Sequence, residues 1–310
     1  MSIMKKMRSL ILFFLPVALL AGTTPDSLKT PPVHTIPYDF EHPDATFELP
    51  DSLNEISGLT RTKDGAGLYA VNDEEGKVFR INKTTGVVES SFVFRDAGDY
   101  EGIEMAGDRL FVVKSSGTLY EIKNPGQPDQ EVIKYKFFLT KENNVEGLAY
   151  DPGNNRLLLS CKGVGGVGEA FRMTRSVFAF DLGRRVLLEK PALTVSATGC
   201  HHYLGNCGHN EHLDQLKEVF ADDDQFKFSP SAIAIHPITD EIYMLSSRGK
   251  VLLILNRAGE ILHIEKLNKN IHPQPEGLCF DDDGTLYLSN ERKKAKTATL
   301  HVFRYHGDGQ

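Results

Sequence analysis

Apolar and polar positions alternate in short runs over most of the chain, and each run is closed by Gly, Asn or Asp. The clearest unit opens at Ile56–Thr60, turns at Lys63-Asp-Gly-Ala-Gly67, and continues through Leu68–Val71, Lys77–Ile81 and Val87–Phe94. That is four strands of four to eight residues joined by hairpin turns. A second unit offers Arg109–Lys114, Leu119–Lys123 and Val132–Leu139. A fourth offers Ile242–Ser246, Val251–Asn256 and Ile261–Leu267, and a fifth offers Leu286–Ser289 and Leu300–Tyr305.

Each unit is headed by a short recurring motif. It reads Glu55-Ile-Ser-Gly-Leu59, Asp99-Tyr-Glu-Gly-Ile103, Asn144-Val-Glu-Gly-Leu148, Ser229-Pro-Ser-Ala-Ile233 and Gln274-Pro-Glu-Gly-Leu278. The copies start 44, 45, 85 and 45 residues apart. A period near 45 residues marks stacked or radially arranged units. The fifth unit ends one strand short, and Thr46–Leu49 at the other end of the pattern can supply it. The pattern therefore predicts an all-β fold, a five-bladed β-propeller with four-stranded antiparallel blades, closed by an N-terminal strand that completes the last blade. The long gap is assigned to an insertion, residues 196–228, carrying a Cys/His-rich turn and one short helix at Glu211–Phe220, with Leu213, Leu216 and Phe220 on one face.

Ahead of the propeller, Lys5, Lys6 and Arg8 precede an apolar run, Leu10 to Ala21, of 12 residues. This is short for a membrane span and fits a cleavable export signal over residues 1–22, with a retained inner-membrane anchor as the alternative. Residues 23–45, rich in Pro, Thr and His, read as a tether. Export places the protein in the periplasm or cell envelope, with membrane contact only through an uncleaved signal. The formal charge of −7 becomes roughly −10 once the signal is removed, which argues against nucleic acid as a partner.

In a propeller the first strand of each blade lines the central channel, so the motif positions meet around one axis. The residue before the motif Gly is Ser57, Glu101, Glu146, Ser231 or Glu276, and two residues earlier stand Glu55, Asp99, Asn144, Ser229 and Gln274. Crowded carboxylates raise one another's pKa unless a cation intervenes. Calcium takes six to eight oxygens, whereas zinc prefers nitrogen or sulfur. Glu55, Glu101, Glu146 and Glu276 are the candidate calcium ligands. Each could equally accept backbone N–H bonds and tie its blade to the next. A second tier follows strand two of each blade and contributes Asp73, Lys114, Lys162, Arg248, Asn290 and Glu291. This rim of both signs suits a small anionic ligand bridged by metal, or is simply the polarity of surface turns.

Taken in order, the five motifs resemble those of the SdiA-regulated family of exported bacterial β-propellers, over about residues 45–306. The resemblance implies a five-bladed propeller, an envelope location and calcium binding, with the metal role carried to Glu101, Glu146 and Glu276 and extended to Glu55. The expected function is a calcium-binding interaction module taking an anionic ligand or an envelope protein. The alternative is a metal-dependent hydrolase of phosphate esters, esters or lactones at the same mouth, with a Glu as base and Lys114, Lys162 or Arg248 on the anion.

The insertion departs from what the family leads one to expect. Cys200-His-His-Tyr-Leu-Gly-Asn-Cys207-Gly-His-Asn-Glu-His212 offers either a Cys200–Cys207 disulfide or a second metal site from Cys200, Cys207, His209 and His212. Cys161 and Cys279 read as buried free thiols. Gly163-Val-Gly-Gly-Val-Gly168 matches a dinucleotide fingerprint in letters only, because the next regular element is a strand. His272 reads as a solvated loop histidine.

Overall fold

The computed structural model describes residues 34–165, 171–208, 210–221, 226–293 and 297–307. Blade 1 comprises β2 (Ile56–Arg61), β3 (Gly67–Asn72), β4 (Lys77–Asn82) and β5 (Val88–Val93), after a single strand β1 (Ala45–Glu48). Blade 2 holds β6 (Tyr100–Ala106), β7 (Arg109–Lys114), β8 (Leu119–Lys123) and β9 (Glu131–Tyr135). Blade 3 holds β10 (Val145–Asp151), β11 (Arg156–Cys161), β12 (Thr174–Asp181), and an outer edge split into β13 (Val186–Leu187) and β14 (Leu193–Ser196). Blade 4 is β15 (Ser229–Ile235), β16 (Ile242–Arg248), β17 (Val251–Leu255) and β18 (Ile261–Lys266). Blade 5 is β19 (Pro275–Phe280), β20 (Leu286–Asn290) and β21 (Thr299–Phe303).

Every blade is antiparallel in sequence order, and β1 pairs with β21 as the fourth strand of blade 5, Ala45 opposite Val302 and Glu48 opposite Thr299. The five-bladed ring closed by its N-terminal strand is thus the fold. The middle strands are apolar on both faces because each blade is covered by two neighbours. All five residues of β17 are buried, for example, while β5 on the rim is mostly exposed. The core lies between blades; Phe111, Val113, Leu157, Leu159, Phe178 and Phe180 fill the gap between blades 2 and 3.

Two stretches differ from the sequence expectation. Of the stretch read as a tether, residues 34–44 pack on the propeller, since Tyr38 and Phe40 are buried against blades 4 and 5, and residues 23–33 lie outside the described residues. The insertion holds two helices, α1 (Ala197–Asn206) and α2 (Leu213–Val219). The Cys/His-rich turn is therefore mostly helical. Ser196 caps α1 by accepting from Gly199 N at 3.0 Å, and Ala197, Cys200 and Leu204 form its buried stripe. Gly199, Gly205 and three β-branched or imidazole side chains hide that helix from propensity reasoning. Within the described residues, no helix is long and apolar enough to cross a membrane.

Candidate functional site at the channel mouth

One irregularity recurs in all five inner strands. The register of β2, β6, β10, β15 and β19 slips at the residue before the motif Gly, between Ile56 and Gly58, Tyr100 and Gly102, Val145 and Gly147, Pro230 and Ala232, and Pro275 and Gly277. The extra residue in a bulge leaves the ladder and is re-aimed. Ser57, Glu101, Glu146, Ser231 and Glu276 are those residues; the first four line the narrow central cavity, and Glu276 is buried next to Gly277, which lines it too.

The following Gly is required by close approach. A Cβ on Gly58 would lie 3.0 Å from Ile103 N and 3.1 Å from Glu101 O in blade 2. One on Gly147 would lie 2.8 Å from Ile233 N in blade 4. The motif thus combines a bulge that turns a side chain inward with a glycine that lets inner strands touch.

Ser57 donates to Tyr100 O at 2.6 Å, and Ser231 to Pro275 O at 2.9 Å. These two serines tie blade to blade. The glutamates instead meet other side chains. Glu146 Oε1 accepts from Asn144 Nδ2 at 2.7 Å and lies 3.2 Å from Lys162 Nζ. Glu276 is hydrogen-bonded by Ser247 and Gln274. Glu101 shares a proton-bearing contact with Asp99, which also accepts from Ser115 Oγ. Gln274 Nε2 donates to Glu291 at 2.8 Å, and Glu291 in turn contacts Glu55. Three bonded groups therefore crowd the mouth, Glu276 and Glu55 joined through Gln274 and Glu291, Asp99 with Glu101, and Glu146 with Lys162. Asp73 has a buried Oδ1 without a partner and acts on Glu55 and Asp99 through its charge.

The electrostatics follow from burial and crowding. Glu146 and Glu276 are only 4% and 7% exposed. Burial, then Glu146 and Asp99, push Glu101 well above the carboxylate range. Burial, then Glu276, raise Glu146 against the opposing pull of Lys162. Glu276 is raised by burial as well. Asp73 is pushed up to about 6 by burial and by Glu55, Glu74 and Asp99. Burial works against the charge of Lys162, but Glu146 and Glu276 outweigh it and raise its pKa.

The second tier divides. Asp73, Lys162 and Glu291 join the mouth. Lys114 Nζ rests 5.1 Å from the centre of the Tyr100 ring. Arg248 is exposed and interacts with Arg175. Asn290 is fully buried and donates to Thr299 Oγ1 at 3.3 Å within its own blade. Sequence reasoning missed Lys250, which donates to Ser247 O and is lowered to about 8 by burial and by Lys293, while Glu276 pulls the other way. Its left-handed φ of 53° after Gly249 gave no chemical signal in the sequence.

Cys200 and Cys207 are free thiols, so the expected small disulfide loop is not formed. Cys200 faces the core from α1, and Cys207 Sγ points to Leu204 O at 3.5 Å. His212 stands beside Glu211, and His209 lies outside the described residues. Cys161 and Cys279 are buried free thiols. His272 is fully buried, contrary to its reading as a solvated loop residue, because the irregular segment before β1 covers it at Phe40. The glycine-rich stretch joins antiparallel β11 and β12, so no βαβ unit exists there; residues 166–168 of it lie outside the described residues.

The sequence model of the SdiA-regulated family matches residues 42–162 and 190–293. The chain belongs to the SdiA-regulated family. The second matched segment spans the helical insertion, so what stays unmatched within the propeller is chiefly 163–189. No curated protein matches the chain. Among solved structures, a glutaminyl cyclase from Myxococcus xanthus is similar at TM-score 0.56 and 12% identity, covering 86% of this chain and 96% of that one. A luciferin-regenerating enzyme is similar at 0.48 and 11%, covering 86% and 96%. A nidogen/laminin complex structure gives 0.47 and 14%, covering 79% and 80%. At such identities the first of these speaks for the fold alone.

Proposed function

We propose that this family member is an exported propeller whose channel mouth takes a divalent cation, calcium by the chemistry of its donors, and uses it to bind a ligand or partner in the envelope. One observation carries the reading. Two bulge carboxyls, Glu101 and Glu146, line the central cavity, a third, Glu276, is buried in the neighbouring inner strand, and the ammonium of Lys162 acts on all three. Buried carboxylates in excess of their counter-charge are costly, and a divalent cation removes that cost.

The residues fit calcium in kind, because the donors at the mouth are carboxylates and amides. They do not yet stand as a finished cage. Among the described residues, no three His, Cys, Asp or Glu side chains are grouped as metal ligands. Glu101 would leave Asp99, and Glu146 would leave Lys162, as the ion entered. When bound, the cation supplies positive charge to an anionic group arriving from outside. Lys250 and Lys293, on the blade 4 and 5 side of the rim, would face that anion. Export is supported by the basic and apolar pattern of residues 1–22.

Titration calorimetry of residues 23–310 with calcium tests the proposal, with magnesium as the control. One site is expected, weakened at least tenfold in Glu101→Gln and Glu276→Gln. No heat from calcium at any pH between 6 and 8 would reject it. Calcium-dependent turnover of phosphate or ester model substrates would move the reading to a hydrolase.

A further inference from the structure

Residues 34–48 cross blades 4 and 5 before the ring closes, and histidines hold them at four points. His34 Nε2 lies 2.8 Å from Glu241 Oε1. Tyr38 Oη donates to Gly284 O at 2.6 Å, so its contact with His236 Nε2 at 2.7 Å is one it accepts. His272 Nε2 donates to Phe40 O at 3.0 Å. His301 Nε2 donates to Ile271 O at 3.0 Å, and its Nδ1 accepts from Thr46 Oγ1 at 2.8 Å.

These contacts fix the tautomers. His236 Nδ1 accepts from the N–H groups of Ile238 and Thr239 at 3.2 and 3.1 Å, so it carries no proton. His272 Nδ1 is buried without a partner. The His301 Nδ1 lone pair is taken by the Thr46 hydroxyl. All three rings are therefore neutral Nε2–H imidazoles, and a second proton on any of them meets a donor or an apolar wall.

The surroundings offer little to stabilise a cation. His236 is fully buried among Tyr38, Tyr243, Phe280 and Tyr305, with Glu241 acting on it electrostatically. His272, also fully buried, faces Phe40, Phe303 and His301. His301 is 5% exposed and packs on His272 and Phe303.

We propose that residues 34–48 form an acid-released latch. Protonation of His236, His272 and His301 detaches the segment and strips blade 5 of its outer strand, while blades 1 to 4 stay folded. The sign is set by burial, which lowers His236 and His272 to about 4 and lowers His301. The closed state is fully favoured above the ordinary histidine value of 6.5 and loses that advantage as pH falls towards 4. Release would lengthen the connection to the N-terminal segment by up to about 50 Å of extended chain.

Hydrogen exchange by mass spectrometry on residues 23–310 reads this directly. The probes are the amides of Asp44, Leu49 and His306, which donate to Val302 O, Ala298 O and Pro37 O. Protection, corrected for intrinsic rates, should fall up to about tenfold per pH unit for each histidine below 6.5. Peptides from β7, β11 and β16 should hold theirs down to pH 5. His236→Gln keeps a donor for Tyr38 but cannot gain charge, so it should flatten the slope; Tyr38→Phe should loosen the segment already at pH 7.5. Protection of 34–48 that stays constant from pH 7.5 to 5, or that falls together with blades 1 to 4, overturns the latch. An unchanged slope in His236→Gln and His272→Gln together does the same.

Discussion

Lys162 Nζ stands 3.2 Å from Glu146 Oε1, and the same ammonium acts on Glu276 and Glu101 across the channel. The lysine follows β11, the strand beside the one that carries Glu146, so blade 3 brings its own counter-ion to the axis. Replacing Lys162 by Met leaves Glu146 buried without its cation. Breaking such a pair costs about 3–5 kcal/mol, so the ion-free protein should melt well below wild type. Calcium should then bind Lys162→Met more tightly than wild type. Equal melting temperatures without calcium would show that the contact carries no weight.

The mouth also sets a pH dependence. Burial raises Glu101, Glu146 and Glu276, so each binds its proton more tightly in the fold than in the unfolded chain. Stability from this source is complete below the ordinary value near 4.5 and is lost as pH rises through the folded values. Asp73, at about 6, adds to the same trend. Scanning calorimetry in EDTA should show the melting temperature falling from pH 6.5 to 8, above the range in which the buried histidines act, with a shallower fall in Glu101→Gln. A melting temperature that rises over this window in EDTA would contradict the raised carboxyls.

Gly147→Ala places a methyl 2.8 Å from Ile233 N and 2.4 Å from Ser160 Oγ. Overpacking of this kind typically costs about 1–3 kcal/mol. The fourth motif carries Ala232 at the same position, so Ala232→Gly should cost less than Gly147→Ala. Urea denaturation of both variants decides the order. A neutral Gly147→Ala would mean that the inner strands can part without loss.

The fold was legible because its period is written in short strands and in five motif copies, down to the strand that closes the ring. Thr46–Leu49 was expected and Ala45–Glu48 is found. The inward turn of Glu101, Glu146 and Glu276 was legible as a column, but its cause, a bulge before each glycine, was not. A bulge adds one residue without altering composition, and alternation alone puts two residues per motif on one face. Lys250, His236 and His301 were missed, and His272 was misread as solvated, for another reason. Their roles depend on which distant segment lies against them, and nothing local in the sequence says that Tyr38 reaches His236 or Phe40 reaches His272. The Cys200 helix was hidden by two glycines, although Ala197, Cys200 and Leu204 carry its apolar spacing.

Thermal unfolding of residues 23–310 in EDTA, and again with calcium restored, tests the central claim most directly. A ligand that binds only the folded state adds ~2.7 kcal/mol at a hundred times its Kd, which should appear as a clear rise in melting temperature at pH 7.5. Glu101→Gln and Glu276→Gln should each lose most of that rise while keeping a cooperative transition. A melting temperature indifferent to calcium in wild type would contradict a cation site at the mouth, and would leave Glu101, Glu146 and Glu276 as ties between blades.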